Sequence, residues 1–306
     1  MPHIPLSGAR VTLNVLIREF LEDCELAQGL ARRTIENYTH YLARFQTFSG
    51  DISVDTIDDR LIRSWRLELN SRDLSRTTQN YHLVALRAFL AYLAKRDIAT
   101  FPASKIELPG AENVDVTFLD ADAVDALLKQ PDTRTRQGKR DRAILELLFS
   151  TGLRVAELVS LDRRDVEGRE EVSVVGKGRK RRVVFVSPQA ARAVHDYVSQ
   201  RHDNDDALFV REWRGGEEKG GRLTARSVQR IMQQYAARAG LAEHVTPHTL
   251  RHTFATDLLQ AGADLRAVQT LLGHSSVVTT QRYTHLTDTH LKEVHGAFHG
   301  RHRRRK

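Results

Sequence analysis

The sequence predicts a mainly helical chain in two domains with one small β-sheet, and three observations point there. Apolar residues recur at helical spacing through most of the chain. A stretch bearing proline and glycine interrupts that periodicity near residue 109. One pair of β-branched runs flanks a short basic, glycine-rich turn. The 306 residues, 41% of them hydrophobic, suit two domains with separate cores.

Residues 12–96 read as helix throughout. Leu13, Leu16, Ile17, Phe20 and Leu21 form one apolar stripe, and Ile35, Tyr38, Tyr41, Leu42 and Phe45 a second, for which Thr34 is the expected cap. A third helix carries Leu61, Ile62, Trp65 and Leu69. A fourth carries Tyr81, Leu83, Val84, Leu86, Phe89, Leu90 and Leu93. The first domain is expected at 1–108, a linker at 109–115 and the second domain at 116–306. Leu119-Asp120 is a helix start. Glu171 to Val175 and Arg181 to Val186 are strands of a hairpin, and Ser187-Pro188 opens a further helix with serine as cap and proline in the first turn. A glycine-rich loop, Arg214 to Gly221, precedes the helix of Val228, Ile231, Met232 and Tyr235.

The net charge of +8 is a weak nucleic-acid signal. Arg301, Arg303, Arg304, Arg305 and Lys306 supply five of the charges, and the other 42 basic residues exceed the 39 acidic ones by only three. Clustering of basic residues is more informative than their total. The single cysteine, Cys24, excludes an internal disulfide framework and a cysteine metal cluster, which suits a reducing compartment. No run approaches the ~20 apolar residues that span a bilayer, and no leader with a cleavage site is evident. A cytoplasmic, nucleoid-associated location is expected, without membrane contact.

Several short stretches carry chemistry. Thr246-Pro247-His248-Thr249-Leu250-Arg251-His252 joins a cap, a proline at the first helical position, and His248 and Arg251 three residues apart on one helix face. The arrangement suits a phosphate, and equally a solvated helix start. His248 and His252 have a zinc-compatible spacing but lack the glutamate of a zinc protease, so no metal site is assigned. In Gly152-Leu153-Arg154-Val155-Ala156-Glu157, an arginine follows a helix-ending glycine with a carboxylate three residues on. Its planar fork fits phosphate oxygens, with Glu157 to orient it, and the pair also fits an ordinary surface ion pair. Lys177 lies between two glycines in a basic run with Arg179, Lys180, Arg181 and Arg182, placed either to donate a proton or to touch phosphates unspecifically. His274 follows a glycine that ends a helix, and Tyr283 sits among polar neighbours.

The set is more telling than its members. From Arg154 the intervals are 23 to Lys177, 71 to His248, 3 to Arg251, 23 to His274 and 9 to Tyr283. With the wording TGLRVAEL, GKGRKRR, PHTLRHTFAT, LLGHSS and RYTH, the chain resembles the tyrosine recombinase (phage integrase) family, and within it the Xer type. The resemblance covers nearly the whole chain. It implies a two-domain DNA clamp: an N-terminal four-helix, SAM-like core-binding domain, and an α+β catalytic domain with a C-terminal interaction tail at 284–306.

It also implies that Arg154, Arg251 and His274 hold the non-bridging oxygens of a scissile phosphate while Tyr283 attacks phosphorus. His248 would serve as base or phosphate hydrogen-bonder, Lys177 as acid for the leaving 5′ oxygen, and Glu157 as a support for the arginine. No metal or other cofactor is implied. The partners implied are double-stranded DNA and sister subunits, in a homotetramer or in a heterotetramer with a paralogue, and a regulatory activator is compatible with this. Candidate DNA contacts are Arg32, Arg33, Arg76, Asn80 and Arg87 in the first domain and Arg179 and Lys180 in the second. The implied role is resolution of chromosome or plasmid dimers. Behind it stand a mobile-element integrase of the same family, a type IB topoisomerase, and a DNA-binding accessory protein without catalysis.

Overall fold

The computed structural model describes residues 12–108, 118–176, 180–211, 221–241 and 245–273. The chain divides into two compact units, Met1–Val114 and Asp115–Lys306. The expected linker at 109–115, most of the glycine-rich loop and the tail at 284–306 lie outside the described residues.

Among the described residues, the first unit is built from four α-helices, α1 (Leu13–Leu26), α2 (Arg32–Ser49), α3 (Asp59–Ser71) and α4 (Arg76–Ala94). Their apolar stripes meet in one core that includes Leu16, Phe20, Phe45, Trp65, Leu86 and Phe89. Each such side chain contributes about 1.5–3 kcal/mol by leaving water. Asp58 caps α3 by accepting from the Leu61 amide at 2.8 Å, and Ser75 caps α4 by accepting from Thr78.

Two expectations need correction here. Thr34 does not cap α2: the helix begins two residues earlier, with Ala31 at the cap position, and the Thr34 amide donates to the Ala31 carbonyl. The Arg32 and Arg33 ion pairs with Glu36 support that earlier first turn. On α4, Tyr81 and Val84 face solvent, while His82, which no apolar pattern selects, is buried among Tyr41 and Trp65.

The second unit is organised on α6 (Arg136–Thr151), whose Ala143, Ile144, Leu145, Leu147 and Leu148 are all buried. A helix apolar on so many sides belongs inside a domain. Around it pack α5 (Ala121–Leu128), α7 (Val155–Ser160), α9 (Pro188–Val198), α10 (Ala225–Arg238) and α11 (Pro247–Gln260). The short α8 (Arg163–Val166) leads into the hairpin of β1 (Glu171–Val175) and β2 (Arg181–Phe185), antiparallel with Val172 opposite Val184. Val172, Val174 and Val184 face the core, whereas Val175, Val183 and Phe185 are exposed, as strand alternation requires. The expected caps at Ser187 and Thr246 are present, and the helix start expected at Leu119-Asp120 is capped by the Asp120 side chain.

A left-handed glycine occupies the C-cap of the central helix and of one further helix that borders the site. α6 stops at Gly152 (φ +59°), and α12 (Leu265–Leu272) stops at Gly273 (φ +62°). Glycine takes this conformation without a Cβ penalty, so the chain turns sharply at both points. Ala255, Leu259, Val268 and Leu272 form a separate small core between α11 and α12.

Candidate active site

Three arginines from distant parts of the second unit converge on the C-terminal end of α12. Arg182 donates from Nε to the Leu271 carbonyl at 2.8 Å. Arg251 donates to the Leu272 carbonyl, and Arg154 donates from Nη2 to the Gly273 carbonyl at 3.3 Å. The last carbonyls of a helix lack partners within it and carry its partial negative charge, so cations are favoured there. Three consecutive carbonyls are thus each satisfied by a different guanidinium.

Arg251 also donates to the carbonyl of Gly152, where α6 ends. Although it starts on the second turn of α11, its side chain is buried and spans the ends of two other helices. A solvated helix start is therefore the wrong description of Arg251. His248, in the first turn of α11, is exposed, with its ring centroid 4.3 Å from that of buried His252.

Arg154 stands at the cap position of α7, directly after the α6 turn. Glu157 accepts from its backbone amide at 2.8 Å and from its Nη1 at 3.0 Å. The same carboxylate accepts a two-pronged contact from Arg182, with Nη1 to Oε1 at 2.8 Å and Nη2 to Oε2 at 2.6 Å. Glu157 is only 6% exposed, so the surface ion pair is not what the protein builds. Burial alone would raise the Glu157 carboxyl, but the hydrogen bonds and charges of Arg182 and Arg154 outweigh it and hold the group down at about 2. It remains an anion between two cations. The Arg154 side chain keeps 34% of its surface exposed, against 8% for Arg182. An arginine has five N–H donors, and two of those on Arg154 are committed to Glu157 and Gly273 among the described residues.

Arg154, Glu157 and Arg251 are thus brought together, and Arg182 joins them. In the sequence Arg182 reads as one more member of a basic turn. Its strand alternation was the available signal, since Arg182 shares the inward face of β2 with Val184. Lys177, Arg179, His274 and Tyr283 lie outside the described residues. Lys180 is exposed beside the hairpin tip, where its carbonyl accepts from the Gly176 amide at 2.9 Å. In the first unit, Arg32 and Arg33 are exposed and paired with Glu36, Arg76 and Arg87 are exposed on α4, and Asn80 is half-buried there. Among the described residues, no group of three or more His, Cys, Asp or Glu side chains is placed to hold a metal ion.

Residues 117–290 match the model of the phage integrase family, and residues 17–97 match that of the phage integrase N-terminal SAM-like domain. The chain belongs to the phage integrase family. Two members are similar over almost their whole lengths. The tyrosine recombinase XerC of Pelobacter propionicus is 37% identical over 92% of this chain and 94% of its own. The tyrosine recombinase XerD of Lacticaseibacillus casei is 38% identical over 94% and 99%. Among solved structures, the XerH site-specific recombinase bound to a palindromic difH substrate, a post-cleavage complex, aligns with a TM-score of 0.70 at 23% identity, covering 91% of this chain and 83% of that one. That likeness bears out the predicted fold, mainly helical with a small sheet. This phage integrase family member is a site-specific tyrosine recombinase of the Xer-like kind. No helix among the described residues is long and apolar enough to cross a membrane.

Proposed function

We propose that this recombinase breaks and rejoins double-stranded DNA at a specific site, with Tyr283 as nucleophile and Arg154 and Arg251 as the principal phosphate ligands. The observation that carries the reading is the convergence of Arg154 and Arg251 on the end of α12, one residue before His274. The Tyr283 oxygen bonds to phosphorus, the bond from phosphorus to the 5′ oxygen breaks, and a 3′-phosphotyrosyl link stores the bond. Lys177 supplies the proton to the departing 5′ oxygen, and His248 takes or shares the phenolic proton. A phenol of pKa ~10 needs a cationic surround to ionise near neutrality. Preorganised arginines also stabilise the charge that grows on the non-bridging oxygens without having to reorganise. Attack by the partner strand's 5′ hydroxyl reverses the chemistry on a new strand.

Exchange between two duplexes needs four such sites, hence a tetramer on DNA, of identical chains or with a paralogue. The amphipathic tail of Leu286, Leu291, Val294 and Phe298 is the proposed contact between neighbours. A clamp on DNA is part of the proposal, made by the first domain and the second through the 109–115 linker, with Arg32, Arg33, Arg76, Asn80, Arg87, Arg179 and Lys180 as candidate DNA contacts. The near full-length similarity to XerC and XerD favours resolution of chromosome or plasmid dimers, in the cytoplasm on the nucleoid.

The deciding experiment maps the DNA bound by the protein in its source genome, then offers the recovered sequence as a nicked duplex that traps covalent intermediates. One site near the replication terminus and an adduct on Tyr283 are expected. Sites flanking mobile elements would replace dimer resolution with integration. Failure of the purified protein to form any adduct on the recovered site would leave a DNA-binding accessory protein.

A further inference from the structure

The Arg182 side chain is turned into the protein. It is 8% exposed, and its Nε, Nη1 and Nη2 donate to Leu271, Glu157 Oε1 and Glu157 Oε2. Such a group is not placed to meet a phosphate. What it meets instead are the supports of three site segments. Through Glu157 it is one carboxylate away from Arg154.

It also underlies two glycines. A Cβ on Gly273 would lie 2.9 Å from Arg182 Cδ, and one on Gly176 would lie 3.3 Å from its Nη1 and 3.5 Å from Glu157 Oε1. These glycines immediately precede His274 and Lys177. The backbone therefore lies against the guanidinium on two sides, at the two places where the chain leaves for those residues.

We propose that Arg182 is a positioning residue of the recombination site: it balances and fixes the Glu157 carboxylate, so that Arg154 stays aimed at the scissile phosphate, and it anchors the end of α12. The proposal rests on the reading of Arg154 as a phosphate ligand. Its physical content is a competition for charge. With Arg182 present, Glu157 lies between two guanidinium groups, and the more exposed one retains attraction for an anion. Without Arg182, the full negative charge of Glu157 falls to Arg154, which is drawn to the carboxylate and away from the phosphate. Because the Glu157 side chain is only 6% exposed, solvent screens that attraction weakly at the carboxylate. A misplacement of about 1 Å in such a group costs roughly 10²-fold in rate.

The test compares the parent with Arg182→Gln, Glu157→Gln and the double variant on the nicked duplex recovered from genomic binding. Adduct rate, DNA affinity and thermal melting are measured for each. Arg182→Gln is expected to bind DNA within about 2-fold of the parent and to form the adduct about 10²-fold more slowly. Adding Glu157→Gln should recover about 10-fold of that rate, because the carboxylate that captures Arg154 is gone. A residue serving only to brace the fold predicts the opposite, a double variant at least as slow as Arg182→Gln, and that result overturns the proposal. So does a parent-like rate in Arg182→Gln.

If Arg182→Gln does not fold, Arg182→Lys is used. It retains the charge but loses the two-pronged contact and the anchor on Leu271. A slower adduct at unchanged DNA affinity supports the proposal, and a parent-like rate overturns it. The underlying reading fails separately, by absence of an adduct in the parent or by an adduct that does not involve Tyr283.

Discussion

Arg251 donates to the backbone carbonyl of Gly152, 99 residues earlier in the chain, from a buried position on another helix. The contact ties the segment that presents Arg154 to the helix that begins at Pro247. Through Leu272 it ties both to the end of α12. One side chain therefore serves the fold and the site together, which gives the two arginines different signatures on substitution.

Arg251→Ala orphans two carbonyls, at roughly 1–3 kcal/mol for each that is left buried. Melting should show a loss of about 2–6 kcal/mol, and adduct formation should slow by about 10²–10³-fold. Arg154→Ala should slow the adduct by a similar factor while costing under about 1 kcal/mol, because its side chain is a third exposed and Arg182 still holds Glu157. Equal stability losses in the two variants would contradict this division of roles.

Tyr283→Phe is expected to bind the recovered DNA site as the parent does and to form no covalent adduct on the nicked duplex. Gel shift and denaturing electrophoresis read the two properties separately. A normal adduct in the phenylalanine variant would remove Tyr283 from the chemistry.

Gly152→Ala should destabilise the protein by about 3 kcal/mol. The left-handed backbone at φ +59° costs about 1–2 kcal/mol for a residue with a Cβ. That Cβ would also lie 2.5 Å from Phe254 Cδ1 and 3.1 Å from Leu272 Cδ2, and overpacking costs about 1–3 kcal/mol more. Gly168→Ala is the control: φ is +69°, and nothing stands within 4 Å of the new Cβ. Denaturant unfolding should give it only the backbone penalty, about 1–2 kcal/mol.

His82 makes the first unit sensitive to mild acid. Burial, with the nearby positive charge of Arg44 and with His40, pushes its imidazole down from 6.5 to about 4. Below pH 6.5 the unfolded chain binds a proton that the folded state refuses, so stability falls with pH through that window and the loss levels off below about 4. Unfolding followed by Trp65 fluorescence, 5.8 Å from the His82 ring, should show the decline, and His82→Phe should flatten it. An unchanged slope in that variant would place the titrating group elsewhere.

Deleting residues 286–306 should leave binding to a single site close to that of the full chain and weaken assembly of the four-subunit complex on paired sites. Sedimentation on DNA distinguishes the two states. Undiminished assembly would show that the tail is not the contact between neighbours.

The sequence by itself determined what local chemistry can determine. Helix starts at Asp120, Ser187 and Thr246 were legible because a cap and its amide partner are three residues apart. The hairpin of Glu171–Val175 and Arg181–Phe185 followed from β-branched runs, and the family from residue types at fixed intervals. Thr34 failed as a cap because a good capping residue was also acceptable inside the first turn, and Ala31 held the required backbone conformation.

What only the tertiary structure decided is where the charges lie. Arg182 reads as an ordinary basic residue and His82 as a polar interruption of a stripe, while the local pattern alone leaves Arg251 and Glu157 open between a site and a solvated surface. Each is buried because its partner lies 25, 99, 38 or more residues away in the chain. No periodicity records such distances. A buried charge is tolerable only where the fold delivers its counter-charge or carbonyl, so that part of the site exists only once α6, the hairpin, α11 and α12 have met.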